Sequence, residues 1–289
     1  MNQTNPYAPL ERAEYVEQEY LYRLLGERIV QQMPIQELLE QVHFELSAST
    51  RLPMAVSFLL TELKHSGLMS PAMARMPHYF AAFQTYLIQE SERDTGKFDV
   101  RIALKILQAE AKFRAEGATR EGLFFYQFES LCRNRLRYDP GLKAIASDPV
   151  YDATWIAFIM RLRMQIGFVD FADFIFMHSD DYRQRLIDAG ESTEGKGPFI
   201  FGRQEGRIAF SSRRRDPLFL FGALQRHLGY PQVPKPVVPD RTLEIVPQLA
   251  RRVERLESRI QLLEQENRTG IDITKFYGKP NLPPMDNDE

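Results

Sequence analysis

The chain has 289 residues, enough for one large domain or two small ones. Hydrophobic residues make up 44% and charged residues 26%, and the formal net charge of −2 excludes a global charge excess that would steer the chain to nucleic acid or membranes. The single cysteine, Cys132, excludes an intrachain disulfide, and no apolar run approaches the length of a membrane span. The first residues lack the basic and apolar regions of a signal peptide, so we expect a cytoplasmic protein with no membrane association.

Most of the chain shows helical periodicity. Residues 1–9 are polar and contain two prolines, and we interpret them as a flexible tail. Residues 10–190 carry apolar residues at helical spacing and predict a multi-helix body. Residues that favour helix N-caps precede several of these runs: Asp99, Thr119, Asp148 and Asp216. Glycines that favour helix ends follow others: Gly67, Gly117 and Gly229. Cys132 falls on an apolar helix face, where a free cysteine behaves as a small hydrophobe.

The segment after Gly167 is ambiguous. Residues 168–182 fit either a helix or a strand, and a short strand at 174–177 agrees with their aromatic and β-branched content. Residues 191–229 predict a β-hairpin followed by a buried helix. The hairpin strands are 199–201 and 207–210, and the helix carries LFLFGAL, which is apolar nearly all round. The expected fold is therefore mainly α, with one small β-hairpin and a C-terminal coiled coil.

Two Glu-x-x-His pairs are candidate metal ligands: Glu40 with His43, and Glu62 with His65. Paired motifs of this kind bind two irons in four-helix bundles, but there they lie on longer helices interleaved with further glutamates. Here they lie on consecutive short helices, so we interpret them as incidental and expect no metal and no cofactor. A second acidic cluster fits either a divalent-cation site or capped turns: Asp170, Asp173, His178, Asp180 and Asp181.

An arginine cluster is the strongest candidate for ligand binding. Five arginines form an anion-binding candidate around the predicted hairpin: Arg203, Arg207, Arg213, Arg214 and Arg215. Together with Arg226 they face only two acidic residues, Glu205 and Asp216, in this segment. Arginine forks suit phosphate or carboxylate groups. The alternatives are a solvated rim, or docking of the arginines onto the acidic first helices.

Residues 230–241 are rich in proline and predict an extended spacer before a coiled coil over residues 242–269. The a positions are Val246, Val253, Ile260 and Asn267, and the d positions are Leu249, Leu256 and Leu263. Arg252 and Arg259 at g would meet Glu257 and Glu264 at e of a parallel partner. This pattern predicts a parallel homodimer. The alternative is a helix that packs its apolar stripe on its own domain.

The final residues, 270–289, combine apolar side chains with an acidic end. Four of the apolar residues form a candidate partner-docking motif: Ile271, Ile273, Phe276 and Tyr277. We therefore expect a non-enzymatic cytosolic scaffold or adaptor that dimerises and binds another protein. The alternative function is nucleic-acid or phospholigand binding through the arginine cluster, and a di-metal enzyme is a third hypothesis.

The heptads make the assembly state testable. Light scattering on the intact chain should give twice the chain mass of 33.6 kDa, because the a and d residues pair with a second copy. A chain ending at Asp240 should be a monomer. A dimer that survives this truncation would contradict the prediction.

Overall fold

A computed structural model describes residues 8–31, 33–93 and 98–236, together with the single residues Leu256 and Ile260. The described part is mainly α-helical. The chain divides into two compact units, Met1–Pro236 and Val237–Glu289. In the second unit, Leu256 and Ile260 are helical, with 55% and 54% of their surface exposed. The other coiled-coil residues and the tail motif lie outside the described residues.

Thirteen α-helices lie in the described part of the first unit. The first six are α1 (Arg12–Arg28), α2 (Ile35–His43), α3 (Leu52–Ser66), α4 (Ser70–Ala74), α5 (Ala82–Ser91) and α6 (Val100–Ala115). The other seven are α7 (Arg120–Arg133), α8 (Tyr138–Ala146), α9 (Ala153–Gln165), α10 (Phe171–Met177), α11 (Asp180–Asp188), α12 (Arg203–Ser212) and α13 (Pro217–Leu228). A short 3-10 turn, Ile29–Gln31, extends α1.

Several predicted helix boundaries are confirmed by their capping geometry. The side chains of Asp99, Thr119 and Asp216 each accept a hydrogen bond from a backbone N–H in the first turn of the helix that follows. Gly67 and Gly229 end α3 and α13 in the left-handed conformation, at φ 72° and 69°. Residues without a side chain adopt this conformation at low cost, which is why glycine is common there.

The centre of the core is α7. All residues from 122 to 131 are buried, because neighbouring helices cover this helix on every side. Phe124 and Phe128 stack with their ring centroids 5.9 Å apart. Phe124 contacts Phe158 of α9 edge-on at 5.5 Å, and Phe128 lies 6.1 Å from Phe221 of α13. The aromatic side chains therefore join the first half of the body to α9 and α13.

The predicted β-hairpin is wrong. Residues 203–212, which include the second predicted strand, form the helix α12 with Gly202 as its N-cap. Phe201 makes only an isolated bridge with Ser179, and its backbone N–H donates to the carbonyl of His178 at 3.1 Å. Gly202 and Gly206 resemble turn residues in sequence. In the structure the first starts a helix and the second allows that helix to pack closely.

The strand alternative at 174–177 is also wrong, because these residues belong to α10. Asp170 caps this helix by accepting from the backbone N–H of Ala172 at 2.9 Å. Phe168, Phe171 and Phe174 are three residues apart, and this spacing fits the helical period better than the period of two in a strand.

Two further expectations about the C-terminal part of the body need correction. The LFLFGAL helix is not buried all round, since 47% of Leu218 and 69% of Phe219 is exposed. The first part of the proline-rich spacer packs on the body. Tyr230 and Val233 are buried there, and the Tyr230 hydroxyl donates to Glu129 Oε2 at 2.7 Å.

Asp148 does not cap a helix, because Asp152 caps α9 instead. Asp148 lies fully buried against Arg114 of α6, which also binds Glu110. Arg114 Nη1 donates to Asp148 Oδ1 at 3.2 Å, and Arg114 Nη2 donates to Glu110 Oε1 at 2.7 Å. Gln127 Nε2 donates to the same Glu110 oxygen at 2.8 Å. This network ties α6 and α7 to the loop before α9.

The network contains two buried carboxyl groups and one guanidinium. Both oxygens of Asp148 receive a donor from Arg114, whereas Glu110 Oε2 has no hydrogen-bond partner among the described residues. Burial raises the pKa of Glu110 above its usual value; Arg114 opposes this shift and Asp148 adds to it. The folded protein therefore holds a proton on Glu110 more tightly than the unfolded chain does.

The substitution Glu110→Gln should reveal this proton. Because the folded-state pKa is raised, the contribution of Glu110 is greatest below its unfolded pKa and is lost as pH rises through the folded pKa. We expect the free energy of unfolding of the wild type to fall relative to that of the Glu110→Gln variant in the pH range above the ordinary glutamate pKa of 4.5, by up to about 1.4 kcal/mol per pH unit. Urea unfolding across this range measures the difference. If the wild type and the variant show parallel pH profiles, or if the variant loses more stability than the wild type at high pH, the pKa of Glu110 is not raised.

Candidate functional site

The structure brings the two predicted charged clusters together. Helix α12, which carries the first arginines, packs on α10, α11 and the turn between them. The contact is very close at Gly206: an added Cβ would lie 2.2 Å from Ser179 Oγ and 2.9 Å from Asp181 Cβ. Only glycine fits here, because those two groups leave no room for a methyl group. The arginines therefore face the acidic segment rather than the first helices.

The aspartates of this segment contact arginines. Asp181 is buried and lies 3.0 Å from Arg185 Nη2 and 3.5 Å from Arg207 Nε. Asp173 Oδ1 lies 3.4 Å from Arg213 Nη1. Arg203 takes a neutral partner, donating to Gln184 Oε1 at 3.1 Å. Asp180 lies 3.0 Å from Arg183 Nε and Asp170 caps α10, so each aspartate of the cluster has a partner among the described residues.

Two of the arginines are also fixed by aromatic rings. The guanidinium carbons of Arg213 and Arg185 lie 3.7 Å and 4.0 Å from the ring centroid of Phe210. Both also lie near Phe176, at 5.5 Å and 5.1 Å. Cation–π contacts of this kind contribute about 0.5–1 kcal/mol each at exposed sites. They hold the guanidinium groups in place along the surface.

His178 is part of the core rather than a free ligand. Its Nδ1 lies 2.8 Å from the carbonyl oxygen of Phe174 and its Nε2 lies 3.4 Å from Arg161 Nη1. The carbonyl can only accept and the guanidinium can only donate, so the proton is assigned to Nδ1. Burial lowers the pKa of His178, and Arg161 adds to this effect, whereas the hydrogen bond to Phe174 opposes it. The ring is therefore neutral near pH 7.

A group of exposed side chains lies where α10 and α13 begin. The backbone N–H of Arg214 donates to Asp170 Oδ2 at 2.8 Å, which places residues 168–170 beside residues 213–216. Phe171 and Phe221 contact each other beneath this junction at 5.7 Å. We call the exposed group the basic aromatic face and define it by five residues: Phe168, Arg214, Arg215, Leu218 and Phe219.

The face is strongly exposed and locally strained. Solvent reaches 91% of Phe168, and Arg214 and Arg215 are exposed as well. Arg214 has a φ of 58°, in the left-handed region that costs a residue with a side chain about 1 kcal/mol or more. The hydrogen bond to Asp170 holds the backbone of Arg214 in this conformation. The turn between α12 and α13 therefore presents two adjacent arginines beside the apolar side chains.

The two Glu-x-x-His pairs are not brought together. Glu40 pairs with Lys64 and Glu62 pairs with Arg75, each at 2.7 Å. His43 Nδ1 lies 3.4 Å from the Ser57 hydroxyl. Within the described residues, no group of three or more potential ligands has the arrangement of a metal site.

Cys132 lies on the inner side of α7. Burial raises the pKa of its thiol to about 12, so the side chain is the neutral thiol near pH 7. A neutral, largely buried thiol is a poor nucleophile and a poor metal ligand. Its position agrees with the expectation of a small hydrophobic residue on an apolar helix face.

Sequence reasoning found the arginines of this site but missed its apolar residues. The sequence pattern predicts a buried helix at Leu218 and Phe219, and it leaves Phe168 in a segment that fits either a helix or a strand. One signal was present: Leu220, Phe221, Leu224 and Leu228 form a single helical stripe, and Phe219 falls off it. Nothing in the sequence indicated that the turn at Arg214 would meet Asp170.

Comparisons with known proteins do not identify the chain. No family model matches it, and no curated protein and no solved structure shows significant similarity to it. None of the helices in the part of the chain described by the structure is long and apolar enough to cross a membrane.

Gly206→Ala and Gly222→Ala form a matched pair that tests how α12 is seated. Gly206→Ala should destabilise the protein by about 1–3 kcal/mol, because the new methyl group overlaps Ser179 and Asp181. Gly222→Ala should stabilise it by about 0.5–1 kcal/mol, since its nearest neighbour, Arg226 Nη1, would lie 3.7 Å away and alanine favours helix. Urea denaturation of both variants measures these changes. Equal effects would contradict the close contact.

Proposed function

We propose that this chain is a non-enzymatic cytosolic adaptor that self-associates through its C-terminal heptads and binds a protein partner on the basic aromatic face. The observation that carries the proposal is the grouping of three exposed large apolar side chains with two adjacent arginines. Exposed apolar groups of this kind mark interaction sites more often than isolated ones do.

The composition of the face supports binding to a protein. Aromatic residues and arginine are enriched at protein interfaces and dominate their binding energy. Phe168 and Phe219 offer large apolar surfaces, and Arg214 and Arg215 offer planar groups with several donors. A partner that covers the face would bury both kinds of group together.

Residues that flank the face pack against the core or against neighbouring side chains. Phe171 lies 4.6 Å from Phe128 of the central helix, ring centroid to ring centroid. Arg213, which precedes the face, is fixed by Asp173 and by the ring of Phe210. Preorganised surfaces lose less conformational entropy on binding and so bind more tightly for the same contacts.

Self-association would add avidity. Ile260 and Leu256 occupy one a and one d position, and their exposure in the single chain supports pairing with a second copy. A parallel dimer would present two copies of the face, and two linked sites bind a multivalent partner more tightly than one site does.

Anion or nucleic-acid binding is the second candidate. In its favour, the side chains of Arg214 and Arg215 form no ion pair with any described residue. Against it, Asp170 accepts a hydrogen bond from the backbone of Arg214, and Asp173 pairs with the neighbouring Arg213. A polyanion approaching this surface would meet carboxylates as well as guanidinium groups.

Substituting the two phenylalanines of the face tests the proposed function. Phe168→Ser with Phe219→Ser should abolish capture of the partner from an extract of the native host, because the apolar part of the contact is lost. Phe44→Ser is the matched control, since 87% of Phe44 is exposed at the C-terminal end of α2 and Phe44 is not part of the face. Affinity capture followed by mass spectrometry measures the outcome. Equal capture by both variants and the wild type would contradict the proposal.

A further inference from the structure

We propose that the partner of the basic aromatic face is an acidic amphipathic peptide segment, in which carboxylates flank large apolar side chains. This inference rests on the proposed function, because it assigns the chemistry of a partner to that same face. Three features of the face support it: the sign of its charge, the spacing of that charge, and the apolar surface beside it.

Two arginines without an ion-pair partner favour a partner that carries carboxylates. The segment from Arg203 to Arg226 carries six arginines against two acidic residues, Glu205 and Asp216. The arginines before the face are occupied, since Arg207 contacts Asp181 and Arg213 contacts Asp173. Arg214 and Arg215 are exposed and form no ion pair with the described residues, so they are available to carboxylates.

The spacing of the charge argues against a uniform polyanion. Asp170 lies at the turn and accepts from the backbone of Arg214, and Asp216 caps α13 directly after Arg215. Evenly spaced phosphates along a nucleic acid, or a layer of anionic headgroups, would be placed against these carboxylates. A peptide carries few charges at chosen positions, and its carboxylates can meet the arginines while avoiding the aspartates.

The apolar surface requires more than a small anion. Phe168 and Phe219 are 91% and 69% exposed, in the two segments that the Asp170–Arg214 hydrogen bond joins. A free phosphate would satisfy the arginines and leave both rings in water. An amphipathic segment covers the rings and pairs with the arginines in one contact.

Selection from a random peptide library displayed on phage tests the inference without assuming a partner. The intact chain is the target, and peptides that also bind the Phe168→Ser, Phe219→Ser double variant are discarded. We expect the remaining peptides to combine Asp or Glu with Phe, Leu or Trp. Their affinity should fall at least about tenfold for an Arg214→Glu, Arg215→Glu variant. Thermal unfolding of each variant, with Phe44→Ser as a surface control, verifies the fold.

A charge exchange makes the test specific. A selected peptide resynthesised with Lys in place of its Glu and Asp residues should lose affinity for the wild type and regain it on the Arg214→Glu, Arg215→Glu variant. If it does not regain affinity, the arginines do not read the carboxylates and the inference is wrong.

Two further probes cover the other anionic partners. A single-stranded oligothymidylate of about 20 nucleotides and vesicles of equal parts phosphatidylcholine and phosphatidylserine are titrated with the intact chain. Weaker binding than that of the selected peptides is expected, and tighter, face-dependent binding of either probe overturns the inference. Selected peptides that depend on the face but are basic or uncharged overturn this inference and leave the proposed function standing. If no selected peptide depends on the face, both fall.

Discussion

The absence of a side chain at Gly206 is the constraint on which the surface of this protein depends. The backbone of Gly206 packs against Ser179 and Asp181. Helix α12 therefore lies directly on the turn between α10 and α11. This contact determines how close α12 lies to α10 and α11, and therefore where the C-terminal end of α12 is placed. The chain then turns at Arg214, where Asp170 holds the left-handed backbone, and α13 begins shortly afterwards with Leu218 and Phe219 in its first turn.

The many arginines on this side of the body do not act mainly as stabilising groups. Their ion pairs are partly exposed, and exposed pairs contribute about 0–1 kcal/mol each. Arg185 and Arg213 owe their fixed positions at least as much to the ring of Phe210, which lies between the two charged clusters. Stability comes instead from the aromatic core around α7 and from burial of side chains such as Phe124 and Phe128. The arginines therefore determine the charge of this surface, whereas the aromatic core provides most of the stability.

Local signals in the sequence predicted the local features of the fold. Asp99 and Thr119 cap helices as expected, and Gly67 and Gly229 end them, because capping depends on a few neighbouring residues. Two of the failures involve contacts that are distant in sequence. The sequence around Gly206 predicts a turn, because its close neighbour Ser179 lies 27 residues away in the chain. The sequence around Asp148 predicts a helix cap, because its actual partner, Arg114, lies 34 residues away in the chain.

The candidate site also combines features that local sequence predicts with features that depend on contacts distant in sequence. Its arginines are visible in the sequence as a cluster, and their pairing with Asp173 and Asp181 depends on the packing of α10 to α12. The LFLFGAL pattern predicts Leu218 and Phe219 as core, because it is apolar nearly all round, and Phe168 lies in a segment that fits either a helix or a strand. The sequence alone therefore predicts the charge of the face, whereas only the tertiary structure shows that its apolar side chains are exposed.

The most direct measurement is hydroxyl-radical footprinting of the intact chain. If the basic aromatic face is a free docking surface, nothing else in the protein covers it, so Phe168 and Phe219 should be oxidised rapidly. Phe174 and Phe221, each 1% exposed in the same two segments, should react slowly and serve as internal references. Oxidation of Phe168 and Phe219 at the slow rate of these buried rings would show that the face is already occupied, and would contradict its role as a free docking surface.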